Sequence, residues 1–206
     1  MQGADQLVQI VDRAMAEAVR KSGPWLACRI GCTECCIGPF PITQLDALRL
    51  REGLAELEKR EPERAARVLG RARASVERIA AEFPQNPIES VLTIDEAAAE
   101  EPCPALDPQT GACDLYAARP LTCRTFGPPV RLPGEPSLAL CALCFRGASE
   151  EEIEACSVEV DFALEEGLLH QLSATTGASG DTIVAFALAK FGADAATPPH
   201  SSHHRI

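Results

Sequence analysis

The sequence predicts a mainly α fold, with helices packed around an irregular, cysteine-rich segment that holds at most a short β-hairpin. Two observations lead there. Over several long stretches apolar residues recur at three- and four-residue steps, the period of one helix face. Between Cys103 and Gly147 that period vanishes, and 16 of those 45 residues are Cys, Gly or Pro. No alternation of strand and helix patterns and no internal repeat runs through the chain, which argues against a βαβ architecture.

The elements follow in order. Residues 5–21 form an amphipathic helix on Leu7, Ile10, Val11, Ala14, Ala18 and Val19, stopped by Ser22-Gly23-Pro24. After the cluster CRIGCTECC and the punctuated Gly38-Pro39-Phe40-Pro41, Thr43 and Asp46 resemble a capping box with Asp in place of Glu. They open a helix through about Lys59. Pro62 suits the first turn of the next helix, whose apolar face runs from Ala65 to Phe83 before Pro84 and Pro87 end it. Asp107–Gly111 reads as a turn between short extended pieces, with Cys103 before it and Cys113 after it. Ser149 and Glu152 make a second capping box and start a helical region through about Leu172. Asp181 caps a last helix over Ile183–Leu188, closed by Gly192. Residues 1–148 thus form a cysteine-cluster domain with N-terminal helices, 149–192 a helical extension, and 193–206 a disordered tail.

Composition narrows the function. The 206 residues carry 19 Lys and Arg against 30 Asp and Glu, a formal charge of −11, with seven Phe, one Tyr and one Trp. Such a balance disfavours nucleic-acid and anionic-membrane binding. No apolar run reaches the roughly 18–20 residues of a membrane span. Asp5 and Asp12 interrupt what a signal peptide needs as a continuous apolar stretch. A cytoplasmic protein is expected.

Against that background ten cysteines stand out, because a reducing compartment keeps thiols unpaired and directs such a count toward metal or redox chemistry. Cys28, Cys32, Cys35 and Cys36 lie within nine residues, and soft thiolates suit zinc, copper(I) and iron–sulfur clusters. Neighbouring side chains point apart, so the adjacent Cys35-Cys36 pair fits two metals, or a polynuclear cluster plus a ligand to a second site. Cys103, Cys113 and Cys123 follow at separations of ten, and then the Cys141/Cys144 pair. The segment around them has too little periodicity to hold itself together, and a metal would staple it. Cys156 lies in a helical pattern beside Ile153 and Val160 and reads as a buried core thiol.

At CPALD (103–107), TGACDLY (110–116) and RPLTCR (119–124), with CRIGCTECC before them, the chain resembles the YkgJ-like cysteine-cluster proteins, the zinc- or iron-chelating CxxCxxCC family. The resemblance runs from Cys28 to about Cys144. It implies a metal or iron–sulfur centre on Cys28, Cys32, Cys35, Cys36, Cys103, Cys113 and Cys123, usually completed by one later cysteine, for which Cys141 and Cys144 are both candidates. Some members are associated with flagellin lysine N-methylation, which implies an enzymatic alternative related to protein lysine N-methylation. Arg119 and Arg124 flank Cys123 and are placed to offset thiolate charge, the surface-arginine alternative staying open. Tyr116 is expected as a packed ring with a bonded hydroxyl. His170 reads as a non-ligand, and His200, His203 and His204 fall in the tail.

Three functions compete. One is a protein holding a cysteine-ligated iron–sulfur cluster, iron, or a polynuclear zinc or iron site, in a redox or catalytic accessory role. Another is a structural zinc module that presents its helices to a protein partner. The third is an enzyme: Cys28-x3-Cys32-x2-Cys35 reproduces the spacing of radical S-adenosylmethionine enzymes. Glu34, where an aromatic residue is usual in that superfamily, and the lack of βα units count against it.

Overall fold

The computed structural model describes residues 2–94, 97–132 and 137–190. Among these the protein is mainly helical: α1 (Gln2–Ser22), α2 (Gln44–Arg60), α3 (Pro62–Glu82), α4 (Pro87–Thr93), α5 (Leu121–Thr125), α6 (Glu150–Cys156), α7 (Ala163–Thr176) and α8 (Val184–Ala189). Three two-residue strands, β1 (Val130–Arg131), β2 (Leu138–Ala139) and β3 (Val158–Glu159), form a sheet in the order β2-β1-β3. β1 pairs antiparallel with β2 and parallel with β3, with Val130 opposite Val158. This sheet lies apart from the hairpin expected at Asp107–Gly111 and goes beyond the single short hairpin that the sequence suggests. The tail histidines and Gly192 lie outside the described residues.

Local chemistry sets the helix starts. Thr43 Oγ1 accepts from the Asp46 amide at 3.3 Å, giving α2 half a capping box. The Asp46 carboxylate does not return to the cap; it turns inward and accepts from the Leu121 amide at 3.1 Å and from Arg49 at 3.1 Å. α3 begins on Pro62, where a missing amide costs nothing. At α6 the box is complete: Ser149 Oγ accepts from the Glu152 amide at 3.2 Å, and the Ser149 amide donates to Glu152 Oε2 at 2.7 Å.

The expected single helical region from Ser149 to Leu172 is in fact two helices. Ser157 turns extended so that Val158 can donate to the Pro129 carbonyl at 3.2 Å, a tertiary pairing that overrides the local helical pattern. Asp181 does not cap α8, whose N-cap is Ile183 without a side-chain bond. The neighbouring Thr182 instead exchanges backbone bonds with Ile42 at 2.8 and 3.0 Å. Pro87 both follows α3 and opens the short α4.

Two main cores hold the site. In one, Leu50, Leu54 and Leu57 of α2 meet Val68 and Ala72 of α3 and Val184, Ala187 and Leu188 of α8, with Cys103 and Cys113 packed on its edge. In the other, Leu7, Val11 and Ala18 of α1 meet Leu121, Val130 and Val160. Each fully buried Leu or Val contributes on the order of 1.5–3 kcal/mol, so the edge that bears Cys103 and Cys113 rests on well-packed helices. Gly53 brings α2 close to the turn at Tyr116–Ala118, since a Cβ there would lie 2.3 Å from Ala118 Cβ.

Candidate metal centre

The cysteine segment is a chain of tight turns. Cys32 donates to the Arg29 carbonyl at 3.0 Å and Cys36 to the Thr33 carbonyl at 2.8 Å. Beyond it the backbone pairs with the second cysteine segment, Cys103 donating to the Cys36 carbonyl at 2.7 Å and Gly38 to the Glu101 carbonyl at 2.9 Å. The expected turn at Asp107–Gly111 is formed. Asp107 and Ala112 bond at 2.8 Å, Leu106 bridges Cys113, and the Asp107 carboxylate accepts from Gln109 and Thr110. This hairpin holds Cys103 and Cys113 beside Cys36. Asp114 anchors it to α3, accepting from Arg64 Nε at 2.6 Å and from Arg71 at 2.5 Å.

All ten cysteines are free thiols, and nine fall into two neighbourhoods. In the first, Cys28 has Cys144, Cys141 and Cys32 as neighbours; burial and these thiols push the Cys28 thiol up to about 12. The Cys141–Cys144 turn is closed by the Cys144 amide on the Cys141 carbonyl at 2.9 Å, and Phe145 donates to the Trp25 carbonyl. The Trp25 and Phe145 rings stack with centroids 6.1 Å apart. Gly127, at φ +122°, leaves room for this group: a Cβ there would stand 2.9 Å from Cys28 Sγ.

The second neighbourhood contains Cys35, Cys36, Cys103, Cys113 and Cys123. The adjacent thiols of Cys35 and Cys36 act on each other, which lowers Cys35 to about 6 and raises Cys36. Burial raises Cys103, Cys113 and Cys123, and each also feels the charge of Cys35. Among the described residues no three His, Cys, Asp or Glu side chains converge on a point that an ion could occupy as they stand. The thiols are gathered, and ligation would require their side chains to turn inward.

The sequence-predicted residues thus separate by place. Arg119 lies over the Tyr116 ring at 3.9 Å, and its charge lowers Cys35 and Cys113. Arg124 is committed elsewhere: it donates to both Asp12 oxygens at 2.9 Å, to the Ala117 carbonyl at 2.6 Å and to the Arg119 carbonyl at 3.2 Å. Tyr116 is 64% exposed, so the ring carries a guanidinium instead of packing inside. The Cys156 thiol is buried and donates to the Lys21 carbonyl at 3.3 Å. His170 is exposed on α7. The buried carboxylates Asp46 and Asp114 were not expected as parts of the site. Asp46 had a sequence signal, an acid between Leu45 and Ala47 on a helix whose neighbours are core residues.

Two observations test whether a metal would suit these residues. The donor set is all sulfur, which soft or borderline metals prefer. Arg119 Nε is buried without a partner beside thiols that become anionic on ligation. Both fit.

A helical scaffold that gathers nine thiols from distant loops defines a cysteine-cluster protein. A model of the CxxCxxCC family, described as a "putative zinc- or iron-chelating domain", matches residues 27–145, more than half of the chain, and the chain belongs to that family. No curated protein and no solved structure matches it. Among the described residues no helix is long and apolar enough to cross a membrane.

Proposed function

We propose that the protein holds two cysteine-ligated centres. Cys28, Cys32, Cys141 and Cys144 would hold the first, and Cys35, Cys36, Cys103, Cys113 and Cys123 the second. The observation that supports this is the division of one short segment. The thiol of Cys28 neighbours Cys32 and the Cys141/Cys144 pair, whereas those of Cys35 and Cys36 neighbour Cys103, Cys113 and Cys123.

Four thiolates satisfy one tetrahedral ion. Five, with an adjacent pair among them, exceed that need and suit a polynuclear iron or iron–sulfur centre. Such a centre, when bound, supplies one-electron chemistry or an open iron position. The chain's own groups would tune it: Arg119 offsets thiolate charge, and the apolar packing of Cys103 and Cys113 against the α2–α3 core limits water. The protein would then act as a cytoplasmic redox or catalytic accessory protein, in a compartment that keeps its ten cysteines reduced.

A structural zinc module is the second reading, favoured by the enclosure of Cys141 and Cys144 in an apolar cluster with Phe145 and Trp25. Zinc ligation of this kind contributes on the order of 10–16 kcal/mol to folding.

Metal and acid-labile sulfide per chain, with the visible spectrum, test the assignment on anaerobically purified parent, Cys144→Ser, Cys123→Ser and Cys156→Ser. Iron with sulfide is expected in the parent. Cys123→Ser should lose the sulfide and the colour, Cys144→Ser a separate share of the metal, and Cys156→Ser neither. Colourless protein with zinc alone would replace the iron reading by the structural one. Loss of all metal from either ligand variant, or equal loss from Cys156→Ser, would refute the division into two centres.

A further inference from the structure

Away from the thiols' own ligand positions lies a cavity of about 440 Å³, within the size range of small-molecule sites. α2, α5, the β1–β2 pair and α7 line it, and it opens to solvent. Most of its wall is apolar, supplied by Ile42, Leu121, Val130, Leu132 and Phe162 among others. At one side three carboxylates face it, Asp46, Glu165 and Asp181, with the Thr43 hydroxyl between the first two. Among the described residues no lysine, arginine or histidine lines it.

The three acids differ in how they are satisfied. Asp46 accepts from Arg49 and from the Leu121 amide. Glu165 accepts from Thr43 Oγ1 at 3.2 Å, and among the described residues neither Glu165 nor Asp181 forms an ion pair. Arg124, the other cation near this wall, is bound to Asp12. Burial, followed by the Asp46 charge, raises the Glu165 carboxyl, and the Thr43 hydroxyl and the more distant Arg49 charge offset this only in part. A divalent ion is poorly matched, because the acids do not converge at ligating distance. An ammonium group is well matched: it hydrogen-bonds over a wider span, and an attached hydrocarbon would fill the apolar remainder.

We propose that this cavity is a binding site for a small aliphatic amine, its ammonium held between Glu165 and Asp181 and its hydrocarbon body against the apolar wall. The site stands apart from the metal assignment, yet its wall borders both thiol groups. Thr122 precedes Cys123, and the Cα of Gly127 leaves too little space for a Cβ beside Cys28 Sγ. A bound amine would therefore lie against the loop that carries or contacts each group.

Titration calorimetry on the full chain as purified, with its metal retained, tests this with three probes of equal length: hexylammonium, hexan-1-ol and hexanoate. Hexylammonium is expected to bind at least tenfold more tightly than hexanol, and hexanoate not to bind. Glu165→Gln should weaken hexylammonium at least tenfold while leaving hexanol unchanged. Asp181→Asn, at an exposed position that makes no helix cap, should act in the same direction and serves as the second variant. Equal affinity for amine and alcohol would overturn the proposal in favour of a merely apolar cavity. Displacement of the amine by magnesium or calcium at millimolar concentration would overturn it in favour of a metal site. Absence of hexylammonium binding to the folded parent would overturn it outright.

Discussion

Replacing Asp114 by Asn should destabilise the protein by about 2–3 kcal/mol. The Asp114 side chain is 2% exposed and bridges Arg64 and Arg71 at 2.6 and 2.5 Å; Arg71 also donates to the Pro104 carbonyl at 2.8 Å. These bonds tie α3 to both arms of the hairpin that bears Cys103 and Cys113. Removing one partner of a buried ion pair costs about 3–5 kcal/mol, since the remaining charge is stranded. Here the guanidinium side chains are 34% and 25% exposed, so water recovers part of the loss and the figure falls to about 2–3 kcal/mol. Asn keeps the volume and one acceptor oxygen, so the change isolates charge and the second oxygen. At this chain length a loss of that size lowers Tm on the order of 5–10 °C. The assay is thermal and guanidinium unfolding of metal-replete protein beside Arg78→Gln, which breaks the Arg78–Glu101 pair at a site where Arg78 is 57% exposed. The control should cost under about 1 kcal/mol. If Asp114→Asn fell within about 0.5 kcal/mol of the control, the anchoring role argued for Asp114 would be wrong.

Three further outcomes follow from the fold. Gly53→Ala should destabilise by about 1–3 kcal/mol through overpacking against Ala118, against the gain of roughly 1 kcal/mol that helix propensity alone would give; a rise in Tm would show that the turn at Tyr116–Ala118 yields. Ser149→Ala removes the acceptor of the α6 cap and should cost about 1 kcal/mol, read from the denaturant midpoint, with no change meaning that the cap is redundant. Burial pushes the Asp46 carboxyl up to about 6, above its ordinary value of 3.8, so folding favours its protonated form. That contribution is fully present below about pH 4 and is lost as the pH rises through 6. The stability difference between the parent and Asp46→Asn should therefore shift against the parent across that window, and parallel stability curves would contradict the assignment.

The helices that carry the cores were legible because their signals are local. Thr43 and the spaced leucines announce α2, Pro62 announces α3, and Ser149 with Glu152 announces α6. The hairpin at Asp107–Gly111 was legible for the same reason, since Asp107 makes its own turn. What stayed hidden depends on distant partners. Nothing near Val158 signals that it will leave a helical pattern to pair with β1. The commitment of Arg124 to Asp12 joins residues more than a hundred positions apart. The adjacency of Cys35 and Cys36 pointed to more than one centre, but spacing could not say that Cys28 would neighbour Cys144. The amine cavity was illegible altogether, because α2, α7 and the approach to α8 each supply one acid and none forms a motif.

The split of the Cys28–Cys36 segment also has a consequence during synthesis. Once the nascent chain has emerged through Cys123, every thiol of the five-membered group is present, whereas the four-membered group still lacks Cys141 and Cys144. The thiols of the two neighbourhoods therefore become available at different times, although one short stretch of backbone serves both. The later one must close a loop spanning more than a hundred residues, from Cys28 to Cys144, at an entropic cost that grows only logarithmically with length. The Trp25–Phe145 stack and the Phe145 amide on the Trp25 carbonyl join the two ends of that loop.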